Sequence, residues 1–141
     1  MTTQPEPEKK KLKIILDANA LFVPLQFNID IFEDLKKLLN RNIEPIVLLS
    51  THVELERIAD QGLPAARKKA AYALKLAERC RLLKVAREEE VPVDDLIVQV
   101  AGKYKYPVFT NDRQLRNRLR DINVPVIYVR QKSRLEIDGR L

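Results

Sequence analysis

The sequence is poor in the residues that staple or punctuate a small protein. Among its 141 residues there is one cysteine, one histidine, three glycines and no tryptophan. A single cysteine, Cys80, excludes an internal disulfide, and a lone thiol suits a reducing compartment, so a cytoplasmic location is expected. Cys80 stands in an Ala/Leu-rich helical stretch and reads as a small core residue. The lone His52 reads as a surface or helix-cap residue, and no His/Cys cluster can form around it. Gly62, Gly102 and Gly139 lie far apart, so no glycine-rich loop can cradle phosphates, which disfavours a nucleotide-binding module. No apolar run approaches the roughly 20 residues that span a bilayer. Met1 to Lys11 carries Pro5, Pro7 and a Lys9-Lys10-Lys11 run without the apolar core of a signal peptide. It reads as a disordered basic leader (1–11), and no membrane partner is expected.

What is present is a soluble globular composition, 45% hydrophobic and 33% charged. With aromatics at only 6%, the core is expected to be aliphatic. The length suits one domain able to bury its own core. The net charge of +6 favours polyanionic partners, although charge speaks to association and not to fold.

Short apolar runs alternate with helical periodicity. Leu12 to Leu16 (LKIIL) reads as a buried strand that stops at Asp17. Ile29 to Asn40 reads as a helix, Pro45 to Leu49 as a second strand, and Thr51 to Ala59 and Ala65 to Cys80 as helices. Arg81 to Val85 is a weaker strand, Glu88 to Pro92 an acidic loop, and Asp94 to Tyr104 a helix. Pro107 to Thr110 is a strand, Arg113 to Arg120 a helix, and Pro125 to Val129 the last strand. Strands alternating with helices predict an α/β domain with a short, mostly parallel sheet of about five strands sandwiched by helices. The domain is expected over 12–134, with a polar tail over 135–141.

The positions of the acids carry the functional signal. In open α/β sheets, ligands bind beyond the carboxyl ends of the strands. Asp17 ends the first strand, and no helix is evident directly after it for its side chain to cap. Glu54 follows the second strand, Asp112 follows the fourth, and Asp94 opens the helix leading into the fourth. Each has a plainer reading: Thr51-x-x-Glu54 has the form of a capping box, and Asp94 and Asp112 suit helix N-caps. Taken jointly, four carboxylates at one sheet edge repel unless a cation neutralises them. Oxygen-only ligands suit Mg²⁺ or Mn²⁺, and such ions assist phosphodiester chemistry. A phosphatase with an aspartate nucleophile is disfavoured, because Asp17-Ala18-Asn19 lacks the second aspartate of an Asp-x-Asp site.

Four segments, ILDANAL (15–21), VELERI (53–58), DDLIVQVA (94–101) and FTNDRQL (109–115), together resemble the PIN-domain nucleases in order and spacing. The resemblance covers Leu12 to about Arg134. It implies helices around a short parallel sheet, an acidic pocket for one or two Mg²⁺ or Mn²⁺ ions, and RNA hydrolysis. Asp17, Glu54, Asp94 and Asp112 then match the four catalytic and metal-binding acids. Asn19 matches the supporting polar residue, with Asp95, Thr110 and Asn111 auxiliary. Val91-Pro92-Val93 departs from the pattern, which leads one to expect small residues before the third acid. Within the family the chain looks most like the archaeal form of the nucleases that process small-subunit ribosomal RNA, and less like toxin-type ribonucleases. Pre-ribosomal RNA is the partner this implies; a homodimer is left open. The alternatives are a catalytically weak fold that binds RNA as an assembly factor, and a toxin-type ribonuclease of the same family.

Cations cluster after the fourth acid. Arg113, Arg116, Arg120, Arg130, Lys132 and Arg134, with Lys103 and Lys105 interleaved with Tyr104 and Tyr106, form a candidate RNA-tracking surface. The plainer reading is a solvated face.

Overall fold

The computed structural model describes residues 11–86 and 90–141. The expected leader lies outside these residues apart from Lys11, and Glu88 and Glu89 of the expected acidic loop lie outside them too. The strands are β1 (Leu12–Leu16), β2 (Ile43–Leu48), β3 (Arg81–Leu83), β4 (Val108–Phe109), β5 (Val126–Arg130) and β6 (Arg134–Asp138). The helices are α1 (Ala18–Leu21), α2 (Val23–Phe27), α3 (Ile31–Leu39), α4 (Leu49–Gln61), α5 (Pro64–Ala77), α6 (Val93–Tyr104) and α7 (Arg113–Asp121).

The strands form one sheet in the order β3-β2-β1-β4-β5-β6. All pairings are parallel except β5 with β6. Side chains alternate between two cores, because successive strand residues point to opposite faces. Ile14, Leu16, Val47, Phe109 and Ile127 enter a core that includes residues of α1, α3 and α5. Ile15, Leu48, Val108 and Val126 enter the other, with residues of α6 and α7. Both faces of the central strands are thus dry, which is why these strands read as continuous apolar runs.

Two expectations need correcting. The sheet has six strands, not about five, and β5 is not the last. The expected tail over 135–141 lies, as far as Asp138, in the antiparallel edge strand β6, whose Leu135 is buried at 6% exposure. Asp17 does have a helix to cap: its side chain accepts from the Ala18 N–H at the start of the four-residue α1. Helix α1 is too short to show periodicity in the sequence.

From β1 the chain moves outward to β2 and β3, then returns across β1 to β4 and β5. The order therefore reverses between β1 and β4. That reversal opens a crevice at their carboxyl ends, the place where such sheets bind ligands.

Candidate active site

At this crevice the backbone is fixed first. The Asp17 N–H donates to the Phe109 carbonyl at 3.1 Å, and the Thr110 N–H to Ile127 at 3.0 Å. The side chains then interlock. The Thr110 hydroxyl donates to Asp17 Oδ2 at 2.8 Å, and Asn19 Nδ2 donates to the same oxygen at 2.8 Å. Asn19 Oδ1 accepts from the Asn111 N–H at 2.9 Å, tying the β1 turn to the β4 turn. Asn111 Oδ1 accepts from the Val129 N–H at 2.8 Å, which adds β5 to the frame. The Asp112 N–H donates to Thr110 Oγ1 at 3.1 Å, while Asp112 Oδ1 caps α7 by accepting from Gln114 and Leu115. Asp112 is thus both a cap, as its plainer reading held, and a member of this cluster.

Three polar side chains are buried among the described residues, and two of them, Asp17 and Thr110, belong here. The third, Thr51, lies in the first turn of α4 with its hydroxyl unpartnered. Burying a carboxylate is costly unless something offsets it. Burial raises the Asp17 pKa; the Thr110 and Ala18 hydrogen bonds pull against it, and the charges of Asp94 and Asp112 push it further up. Burial also raises Asp94, followed by the charge of Asp112, with Arg118 opposing and Asp95 adding to the rise. Asp17, at the end of β1, therefore feels the charges of Asp94 and Asp112, and Asp94 feels that of Asp112. Asp95 itself turns to Arg118 at 2.8 Å.

Glu54 stands apart. It is an exposed residue of α4, paired with Arg57 at 2.9 Å. It does not serve a capping box either, because α4 starts at Leu49 with Leu48 as N-cap. Asp94 is likewise no cap; Pro92 takes that position and Val93 packs into the second core, so the bulk before the third acid is absorbed by packing. Among the described residues no group of three or more His, Cys, Asp or Glu side chains stands in metal-holding geometry. The donor chemistry nevertheless suits a hard divalent cation, being all oxygen and electrostatically strained. The Glu54–Arg57 pair is exposed and worth under about 1 kcal/mol, so it resists a stronger ligand only weakly.

Two plainer readings hold. His52 bonds to Glu56 at 2.7 Å on the surface of α4. Cys80 packs partly against the first core, and burial pushes its thiol up to about 12, so it is no nucleophile.

The cations after Asp112 are largely paired. Arg116 and Arg120 share Asp138, while Arg130 and Arg134 share Glu136. Arg116 also lies 3.9 Å over the Tyr128 ring. Asp138 and Glu136 were unassigned in the sequence because both fall in the stretch that reads as a tail. Among the described residues, Arg113 and Lys132 have no ion-pair partner.

Thr110 is the hub of the network, and Thr110→Val tests it. The valine keeps the shape but strands the Asp112 N–H, takes from the Asn19 amide the weaker of its two acceptors, and removes a donor from Asp17. A loss of about 1–3 kcal/mol in denaturant-measured stability is expected. A loss below about 0.5 kcal/mol, the range of an ordinary surface substitution, would show that the hydroxyl does not hold the cluster.

Comparison with known proteins agrees with this fold. A family model described as "PIN like domain" matches residues 14–132. Ribonuclease VapC4 of Methanocaldococcus jannaschii is 30% identical over 128 residues, covering 90% of this chain and 97% of that protein. The rRNA-processing protein fcf1 of Schizosaccharomyces pombe is 32% identical over 133 residues, covering 87% of this chain and 62% of that protein. Among solved structures, that of the PIN domain endonuclease Utp24 superposes with a TM-score of 0.77 at 29% identity, covering 92% of each chain.

Proposed function

The chain belongs to the PIN-like domain family, and on that footing we propose that it is a metal-dependent endoribonuclease acting in ribosomal RNA processing. The observation that supports this reading is the cluster at the β1–β4 crevice, where Thr110 joins Asp17 to Asp112 and the charge of Asp94 acts on Asp17. Relatives named as ribonuclease, rRNA-processing protein and endonuclease support the reaction class and the substrate.

Asp17, Asp94 and Asp112 would hold Mg²⁺ or Mn²⁺, with Glu54 joining from α4 once it leaves Arg57. A divalent ion there lowers the pKa of water and offsets charge on a phosphate in transit. The chain's own part is positioning. Asp17 is held by the β1–β4 pairing and by two side-chain donors on Oδ2, so its carboxylate has little freedom to swing. Asn19 and Thr110 keep that orientation, and Asn111 locks the two turns together. Arg113, next to Asp112 and without an acidic partner among the described residues, would meet an RNA phosphate.

A second reading has one observation in its favour: Glu54 faces Arg57. On that reading the fold binds RNA as an assembly factor and cleaves weakly.

Metal binding is tested by thermal unfolding. An ion that binds only the assembled site stabilises it by about 2.7 kcal/mol at a hundred times its Kd. Mn²⁺ titrated into chelator-treated protein is therefore expected to raise Tm by several degrees, and Asp94→Asn to remove most of that rise. A flat Tm across the titration would contradict the metal site.

A further inference from the structure

The Lys103–Tyr106 segment does not lie beside the acids. Asp94 is in the first turn of α6 and Tyr104 is its last residue, which separates them by about 15 Å at 1.5 Å per residue. Tyr106 precedes β4, whose Val108 pairs with Ile15 of β1, so Tyr106 sits level with Lys13 at the opposite end of the strand from Asp17. Lys13 and Asp17 are four residue steps apart along the strand direction, about 13 Å.

At this amino edge Tyr104 and Tyr106 stack, with ring centroids 5.3 Å apart and planes 18° from parallel. Tyr104 is 49% exposed, far more than a core aromatic. Lys103 Nζ lies 5.2 Å from the Tyr104 centroid and Lys13 Nζ 5.7 Å from the Tyr106 centroid. Lys105 and Lys11 are exposed alongside in sequence, and neither has an ion-pair partner among the described residues. A half-exposed aromatic pair with lysine ammoniums over its rings offers a face for a base once Lys103 swings aside to a phosphate.

We propose that Tyr104, with Tyr106 beneath it and Lys13, Lys103 and Lys105 around it, is a second binding site for single-stranded RNA at the end of the sheet opposite the carboxylates. Stacking distinguishes this occupant from an acidic protein, which the lysines alone would attract. An unpaired strand seated here reaches the acidic edge within a few nucleotides, so the site selects for unpaired RNA flanking the position that is cut. It depends on RNA as the partner but not on cleavage.

The test uses Asp17→Asn protein in chelator, so that no cleavage enters. Binding of an unstructured oligoribonucleotide of about twelve nucleotides is followed by anisotropy. Tyr104→Ala in that background is expected to raise Kd roughly tenfold, within the range for loss of one base–aromatic stack. Tyr104→Phe should bind like its parent, because the ring face is kept. Since the chain has no tryptophan, its ultraviolet emission comes from tyrosine, and RNA should quench it less in Tyr104→Ala. Equal affinity of Tyr104→Ala and its parent overturns the proposal. So does a loss in the double variant Lys103→Glu with Lys105→Glu that Tyr104→Ala does not share, since the surface then acts by charge alone. Failure of cleavage in wild-type protein, with this binding difference intact, would count against the nuclease reading and leave the second site standing.

Discussion

Asp17→Asn is expected to lower RNA cleavage by about a thousandfold or more while the protein stays folded and binds RNA at least as well as before. The size follows from removing several kcal/mol of charge stabilisation, with each 1.36 kcal/mol worth tenfold in rate. Asparagine keeps the shape but not the charge that a hard cation needs. Its effect on stability is a contest of two terms. Asp17 accepts from Ala18 on one oxygen and from Thr110 and Asn19 on the other. Asparagine has one acceptor oxygen, so its amide must face a donor, and the lost cap costs about 1 kcal/mol. Against that, the substitution removes a buried charge repelled by Asp94 and Asp112. Because the folded-state pKa of Asp17 is raised, the folded protein holds that proton more tightly than the unfolded chain. Its contribution to stability is therefore present below the ordinary carboxylate pKa and is lost as pH rises through the folded value. Without metal, the stability of Asp17→Asn relative to wild type should thus be greater at about pH 7 than at about pH 4. Denaturant midpoints at the two pH values check this, and a difference that is the same at both would contradict the shift.

Ending the chain after Ser133 is expected to destabilise the protein by about 3–5 kcal/mol, although the removed segment reads as a polar tail. The cut removes Leu135, which is buried, and Ile137, which packs against the first core. Full burial of one such side chain is worth about 1.5–3 kcal/mol. The cut also strips β5 of its antiparallel partner and Arg116 and Arg120 of Asp138. For a domain of this size the expected Tm drop is about 10 °C. A Tm within about 2 °C of the full chain would show that β6 is an ornament on the sheet.

The fate of that tail shows where the sequence was legible and where it was not. Buried strands such as Leu12–Leu16 and Val126–Arg130 announce themselves because both of their faces must be apolar. The edge strand β6 alternates Arg134-Leu135-Glu136-Ile137-Asp138, a period-two pattern that charge density concealed. Three of the four acids come together because each follows from a strand end or helix start that pattern reading locates. Glu54 was harder: α4 begins two residues earlier than its polar pattern suggests, and a residue's direction on a helix depends on where the helix is docked. Two of the residues bonded to Thr110, Asn19 and Asp17, lie 91 and 93 positions from it, and no local pattern carries that information. The arginines read as an RNA surface from charge alone, whereas their pairing with Asp138 and Glu136 follows only once β6 is in the sheet.

The most direct measurement is cleavage of a structured ribosomal RNA fragment by chelator-treated wild type and Asp17→Asn, with and without Mn²⁺, with the chemistry of the new ends determined. Water attacking the phosphorus with the 3′-oxygen as leaving group gives a 3′-hydroxyl and a 5′-phosphate, whereas attack by the neighbouring 2′-hydroxyl expels the 5′-oxygen and leaves a cyclic phosphate. Wild type is expected to cleave only with Mn²⁺, to leave the 5′-phosphate, and to lose this activity in Asp17→Asn. Equal cleavage by both proteins, or cleavage that persists in chelator with cyclic ends, would contradict a nuclease built on these acids; binding without cleavage in either protein would favour the assembly factor.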